Sequence, residues 1–270
     1  MGVAERLDSI ASSIINKDEI WHVFDIETGY GSANEISLKI ENWKPPNTMK
    51  KEETIEAARE KFAIEAKQKS SLTDIAPIIC LSFQGSNGDM AVFSCMPKVK
   101  DFELPEYELH QFDSEREMLK TYAEYLSDIY EKTVSFTLAG HNIRSFDLPK
   151  IRNRMIRFGL KIPPVLLPYA SGVNIYDTME RCKHFGVELN KAHRDTKGFV
   201  SFDLLAQALG IDSHKSIMTG GEVPENHEKA LLLLLESNEE GFVLIKEILT
   251  YSMLDAQKEA KAFKLMSGNY

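Results

Sequence analysis

The sequence predicts an α/β protein, a central mixed β-sheet flanked by α-helices, with a helix inserted after the first strand. Apolar, strand-like runs fall in the first two thirds of the chain, and helical patterns fill the last third. The turn SNGD (86–89) joins two of these runs as an antiparallel hairpin. A later run, Thr133–Ala139, leads directly into a helical segment. A hairpin followed by a strand–helix unit calls for a mixed sheet with helical cover.

Taken in order, the first 19 residues place Leu7, Ile10, Ile14 and Ile15 at helical spacing, as in a short amphipathic helix. Glu19–Ile26 reads as the first strand. Residues Gly29–Ala33 read as loop, and ENWKPPN (41–47) as a turn marked by paired prolines. KKEETIEAAREKFAIEAKQKS carries the charge pattern of an exposed helix, giving a helical insertion over 41–70. IAPIICLSF (75–83) and MAVFSCM (90–96) are the hairpin strands. After an acidic loop, Ser114 and Glu117 form a capping box for the helix that follows. Asp147 and Pro149 open the helix after Thr133–Ala139, and VNIYDT (173–178) is a short strand ending in an acid. FDLLAQALGI, PENHEKALLLLLES and a long segment from about Asn238 to Met266 are helical.

The 270 residues suit one domain over 1–270, and no repeat or linker divides them. Hydrophobic content of 43% with 27% charged is ordinary for a globular protein with a sizeable core. The net charge of −9 argues against a partner held by bulk positive potential, yet it suits a site that collects cations. Cys80, Cys95 and Cys182 are widely spaced, as expected of reduced, buried thiols. No apolar run reaches the ~20 residues of a membrane span, and the N-terminus has no secretory pattern. The expectation is a cytoplasmic protein without membrane contact.

Chemistry is concentrated in acids at strand ends. In WHVFDIETG (21–29), Asp25 and Glu27 leave the same face of a strand that otherwise reads as core. Asp147 follows Thr133–Ala139 through a short connection, and Asp255 lies four residues after Tyr251 on one face of the last helix. Carboxylates brought to one place repel unless a cation stands between them, and hard oxygen donors suit Mg²⁺ or Mn²⁺. Two such ions would clamp an in-line phosphoryl displacement, and a tyrosine hydroxyl would orient the attacking water. Asp177 reads as the cap of a helix over 178–184, the leucines of LLLLL (231–235) as helix core, and Lys150, Arg152, Arg154, Arg157, Lys161, Arg181 and Lys183 as a solvated face or a basic cluster.

FDIETG, HNIRSFDLPKI and YSMLD, in that order, resemble the three motifs of the DEDD 3′–5′ exonucleases. The Tyr-x-x-x-Asp form of the last is similar to the DEDDy branch. Within that class the closer likeness is to the proofreading exonuclease of family-B DNA polymerases and its stand-alone relatives, over about 19–264. The resemblance implies an RNase H-like fold and a two-metal 3′–5′ exonuclease using Mg²⁺ or Mn²⁺. Asp25, Glu27 and Asp255 would ligate one ion, Asp25 would reach the second, and Asp147 would act on that ion through water. Tyr251 would position the nucleophile. Phe24, Thr28, His141, Asn142, Phe146 and Lys215 would lie along the nucleic acid. The expected substrate is DNA with single-stranded ends, in repair, or in proofreading with a polymerase acting in trans. The alternatives are an exoribonuclease and a catalytically inactive nucleic-acid-binding domain.

Overall fold

The computed structural model describes residues 20–211 and 218–268. The helix expected over the first 19 residues, and Lys215, lie outside the described residues. Strands β1 (Ile20–Thr28), β2 (Ile78–Gly85), β3 (Met90–Ser94), β4 (Glu108–Gln111), β5 (Phe136–Gly140) and β6 (Val173–Asp177) form one sheet in the order β4-β3-β2-β1-β5-β6. Only β2 runs against the others: it is antiparallel to β1 and β3, while β4 lies parallel to β3, β5 to β1, and β6 to β5. The carboxyl ends of β1, β5 and β6 therefore meet at one edge, where α/β sheets gather their sites.

The pleat of β1 sorts its residues. Phe24 and Ile26 face a layer made by α3 (Glu115–Lys132) and α4 (Asp147–Arg157), packed with Leu119, Tyr122, Leu126 and Ile151. Val23 faces the opposite layer, against Ala260 and Phe263 of α9 (Glu240–Ser267), and Asp25 and Glu27 share its parity. Along α9, Ile245, Ile248, Leu249, Met253 and Ala256 are also buried, facing Cys80 and Val92 of β2 and β3. Burying each such large side chain contributes about 1.5–3 kcal/mol. The two helical layers on a mixed sheet are the α/β architecture the resemblance implies. Helix α8 (Val223–Leu235) packs on α9, and Gly241 permits it: a Cβ there would come within 2.7 Å of the Ala230 carbonyl oxygen. Short helices α5 (Thr178–Arg181), α6 (Val187–Asp195) and α7 (Phe202–Ala208) close the side beyond β6.

Several expectations are corrected. The insertion is a pair of helices, α1 (Ala33–Glu41) and α2 (Glu52–Ser70), so it begins near 33 rather than 41. Helix α1 has no buried residue and hence no strong apolar stripe to betray it; Ser32 caps it by accepting from the Glu35 N–H. β4 lies inside the acidic loop, an edge strand with no buried residue. Of the five leucines at 231–235, Leu231, Leu232 and Leu235 are exposed, the last at 82%. Five consecutive residues span more than one helical turn, so one packed face cannot cover them all. Lys150 and Arg154 form neither a solvated face nor a basic cluster. Both are buried: Lys150 donates to the Thr73 carbonyl, and Arg154 pairs with Glu115 in a two-pronged contact (Nε–Oε1 2.7 Å) and donates to the Ile75 carbonyl. Together they fasten the return of the insertion. The capping box holds, with Ser114 accepting from the Glu117 N–H, as does the hairpin turn, closed by Gly85 N–H to Asp89 O. Cys80 and Cys182 are buried free thiols and Cys95 is a half-buried one. Among the described residues no helix is long and apolar enough to cross a membrane.

Candidate active site

Three elements deliver carboxylates to the carboxyl edge of the sheet. β1 brings Asp25 and Glu27. Its pairing with β2 slips between Glu27, opposite Cys80, and Thr28, opposite Ile78. Such a bulge re-aims the strand end. β5 ends at Gly140, where a Cβ would meet the Phe24 carbonyl oxygen at 2.7 Å. Glycine thus lets the chain pass close over β1 before the loop His141–Phe146 delivers Asp147, the first residue of α4. Helix α9 supplies Tyr251, Asp255 and Glu259 at four-residue spacing, on one face.

Asp177 ties this loop down. Its buried carboxylate accepts from the backbone N–H groups of Asn142 and Arg144 (both 3.0 Å), and from Met179 and Glu180 at the start of α5. It is the cap that the sequence suggests, and a clamp on the second motif as well. Asn142 takes φ 63°, a left-handed conformation that asparagine tolerates better than most residues. His141 is held on both ring nitrogens, by Thr178 Oγ1 at 3.0 Å and by the Val200 carbonyl at 2.7 Å, to which Nε2 must donate.

Electrostatics show the carboxylates converging. Burial raises the Asp25 pKa well above the usual carboxylate range, and the charges of Asp147 and Asp255 raise it further. Glu27 is raised by burial, then by Asp25 and Asp255. The two acids thus oppose each other's ionisation. Burial pushes Asp147 up to about 7 and raises Asp255, whose bond from the Tyr251 hydroxyl acts in the opposite sense. Tyr251 itself is raised by burial, then by Glu27 and Asp255, so it stays a protonated donor. Glu259 is a fifth member of the cluster. It is buried, raised by burial and then by Asp25, Asp147 and Asp255, and accepts from the His141 N–H at 3.3 Å. Within QKEAK it reads as one charge of a solvated helix; its only signal is the four-residue step from Asp255.

One oxygen of Asp147, Oδ1, is buried without a hydrogen-bond partner. An orphaned acceptor among like charges, all hard oxygen donors, fits a divalent cation. Among the described residues no three His, Cys, Asp or Glu side chains stand in ready-made ligand positions. The donor set therefore fits in its chemistry, without a preformed cage. Asp255 Oδ1 is instead paired with Lys258 at 3.2 Å.

The residues expected along the nucleic acid divide. Asn142 and Phe146 are half-buried beside Asp147, and Thr28 closes β1. The Phe24 side chain faces the other layer at 0% exposure, among His22 and Tyr122, and offers no surface to a ligand. The parity of β1 explains this: Asp25 on one face puts Phe24 on the other.

Residues 23–208, more than half of the chain, match the family model for the DNA polymerase family B exonuclease domain. The chain belongs to that family. The matched span of this exonuclease domain holds Asp25, Glu27, Asp147 and the Asp177 clamp, while Tyr251 and Asp255 lie beyond it on α9. Among solved structures it is similar to the family B DNA polymerase of the hyperthermophilic archaeon Pyrobaculum calidifontis, at 12% identity and a TM-score of 0.49. That likeness covers 92% of this chain and 24% of the polymerase, so the domain spans about a quarter of that protein's length. No curated protein sequence matches the chain.

Proposed function

We propose that this domain is a metal-dependent 3′–5′ exonuclease that hydrolyses DNA from single-stranded ends and releases nucleoside monophosphates. The observation that carries this reading is the convergence of Asp25, Glu27, Asp147 and Asp255, with Tyr251 hydrogen-bonded to Asp255, in a chain of the exonuclease-domain family. Asp25, Glu27 and Asp255 would hold one Mg²⁺ or Mn²⁺, and Asp25 would reach a second, on which Asp147 would act through water. Such ions, when bound, activate water and stabilise the departing oxygen. The protein's own part is positioning. The Tyr251 hydroxyl, kept protonated by its buried setting, donates to Asp255 and orients a water through its lone pairs. The clamp at Asp177 fixes Asn142 and the start of α4, so the terminal nucleotide and Asp147 keep one mutual geometry.

End-labelled single-stranded DNA, duplex DNA and RNA, incubated with Mg²⁺, Mn²⁺ or chelator beside an Asp25→Ala control, test the proposal. Metal-dependent shortening of single-stranded DNA from its 3′ end, absent in the control, is the expected result. Equal loss from RNA would remove the DNA preference, and no shortening of any substrate would leave a binding domain without activity.

A further inference from the structure

Five carboxylates crowd the carboxyl edge of the sheet: Asp25, Glu27, Asp147, Asp255 and Glu259. The exposed Asp203 of α7 adds its charge to Asp255 from outside. Among the described residues, a single basic side chain is in ion-pair contact with any of the five. It is Lys258, whose Nζ lies 3.2 Å from Asp255 Oδ1, with the two side chains 12% and 17% exposed. The pair spans three residues of α9, at the mouth of the cluster rather than in its depth.

We propose that Lys258 is a built-in counter-ion that holds Asp255 in place and is displaced when a divalent cation takes that carboxylate. The inference rests on the reading of Asp255 as a metal ligand. Four other acidic groups lie behind the Asp255 carboxylate, whatever negative charge they carry pushes it outward, and a hydrogen-bonded ammonium opposes that push. The ammonium and a divalent ion cannot both remain on Oδ1, since two cations that close repel as strongly as the acids do. Lysine suits an exchangeable role better than arginine. It is a compact charge on a flexible four-carbon stem, and from the rim Nζ can turn into solvent without unwinding α9. Ligand binding at Asp255 is thus an exchange of cations, and the exchange lowers apparent metal affinity.

The test is Mn²⁺ binding without nucleic acid, followed by calorimetry or by the electron paramagnetic resonance of free Mn²⁺. Wild type, Lys258→Met, Lys258→Arg and Asp255→Asn are compared, with thermal unfolding as the check on folding. Removing one partly buried, charge-assisted pair should make Lys258→Met bind Mn²⁺ about fivefold more tightly. Lys258→Arg, which keeps the charge, should bind no more tightly than wild type. Equal or weaker binding by Lys258→Met, with Asp255→Asn impaired, overturns the counter-ion role and leaves the metal site standing. Undiminished binding by Asp255→Asn, or no binding by wild type, overturns both.

Discussion

At the residue scale, Asp147 carries a cost in stability that the proposed chemistry would account for. Asp147 is 3% exposed with an oxygen that has no partner, so neutralising it should help the fold and end the reaction. Asp147→Asn is expected to raise the melting temperature of the metal-free protein by about 2–4 °C, a gain of ~1 kcal/mol, in differential scanning calorimetry. The same variant should lose nuclease activity. His22 poses the opposite problem. It is enclosed by Phe24, Phe83, Tyr122 and Phe136, bonded through Nε2 to the Tyr122 hydroxyl at 2.9 Å, and burial lowers its pKa to about 3. The unfolded chain takes up a proton near the ordinary histidine value of about 6.5 and the folded one does not. Stability is therefore lost as pH falls from about 6.5 toward 3, by up to ~1.4 kcal/mol per pH unit from this group. Denaturant melts across that range should show a shallower slope for His22→Phe. The acids were legible at this scale because their spacing on a strand and on a helix is a direct record of shared faces. His22 was not, since a histidine in an apolar strand looks the same whether buried or exposed.

Elements were legible where an amphipathic pattern or a cap marked them, and illegible where they bury little. Helix α3, with its Ser114 cap and its row of Met118, Leu119, Tyr122 and Leu126, could be read directly. Helix α1 and strand β4 could not, because neither has a buried residue. The Lys150–Arg154 face of α4 departs from its sequence expectation for another reason: its partners are backbone carbonyls of the 71–75 turn and Glu115, contacts that sequence distance hides. Glu115 also accepts from the Ile78 N–H at 2.9 Å, so one carboxylate joins α3, α4 and the start of β2. Arg154→Met would leave that charge buried without its partner. A loss of about 3–5 kcal/mol is expected in urea unfolding, and a double variant that also changes Glu115 to Gln should recover part of it.

At the scale of the whole molecule the fold class was readable, because the order of hairpin, strand–helix unit and late helices permits few arrangements. The place of the insertion's start and the exposed leucines of α8 depended on packing between distant segments. A chain with net charge −9 has no bulk positive potential to hold a polyanion, and its buried Lys150 and Arg154 are spent on internal contacts. Binding of single-stranded DNA is expected to weaken only modestly with salt, with a log–log slope of about −2 rather than the steep dependence of basic binders. Fluorescence anisotropy between 50 and 200 mM salt, with a change in affinity of about sixteenfold, checks this.

Helix α9 crosses β1, β2, β3 and β5 while carrying Tyr251, Asp255 and Glu259. The residues between them, Ser252, Met253 and Ala256, are core. The turns that aim the acids therefore have no independent freedom to open. Their amide hydrogens should exchange with solvent only when the whole sheet lets go, in one cooperative step shared with β1. The reacting groups would then be as slow to drift as the fold is to unfold. The exposed α1–α2 pair, with almost nothing buried, would exchange orders of magnitude sooner.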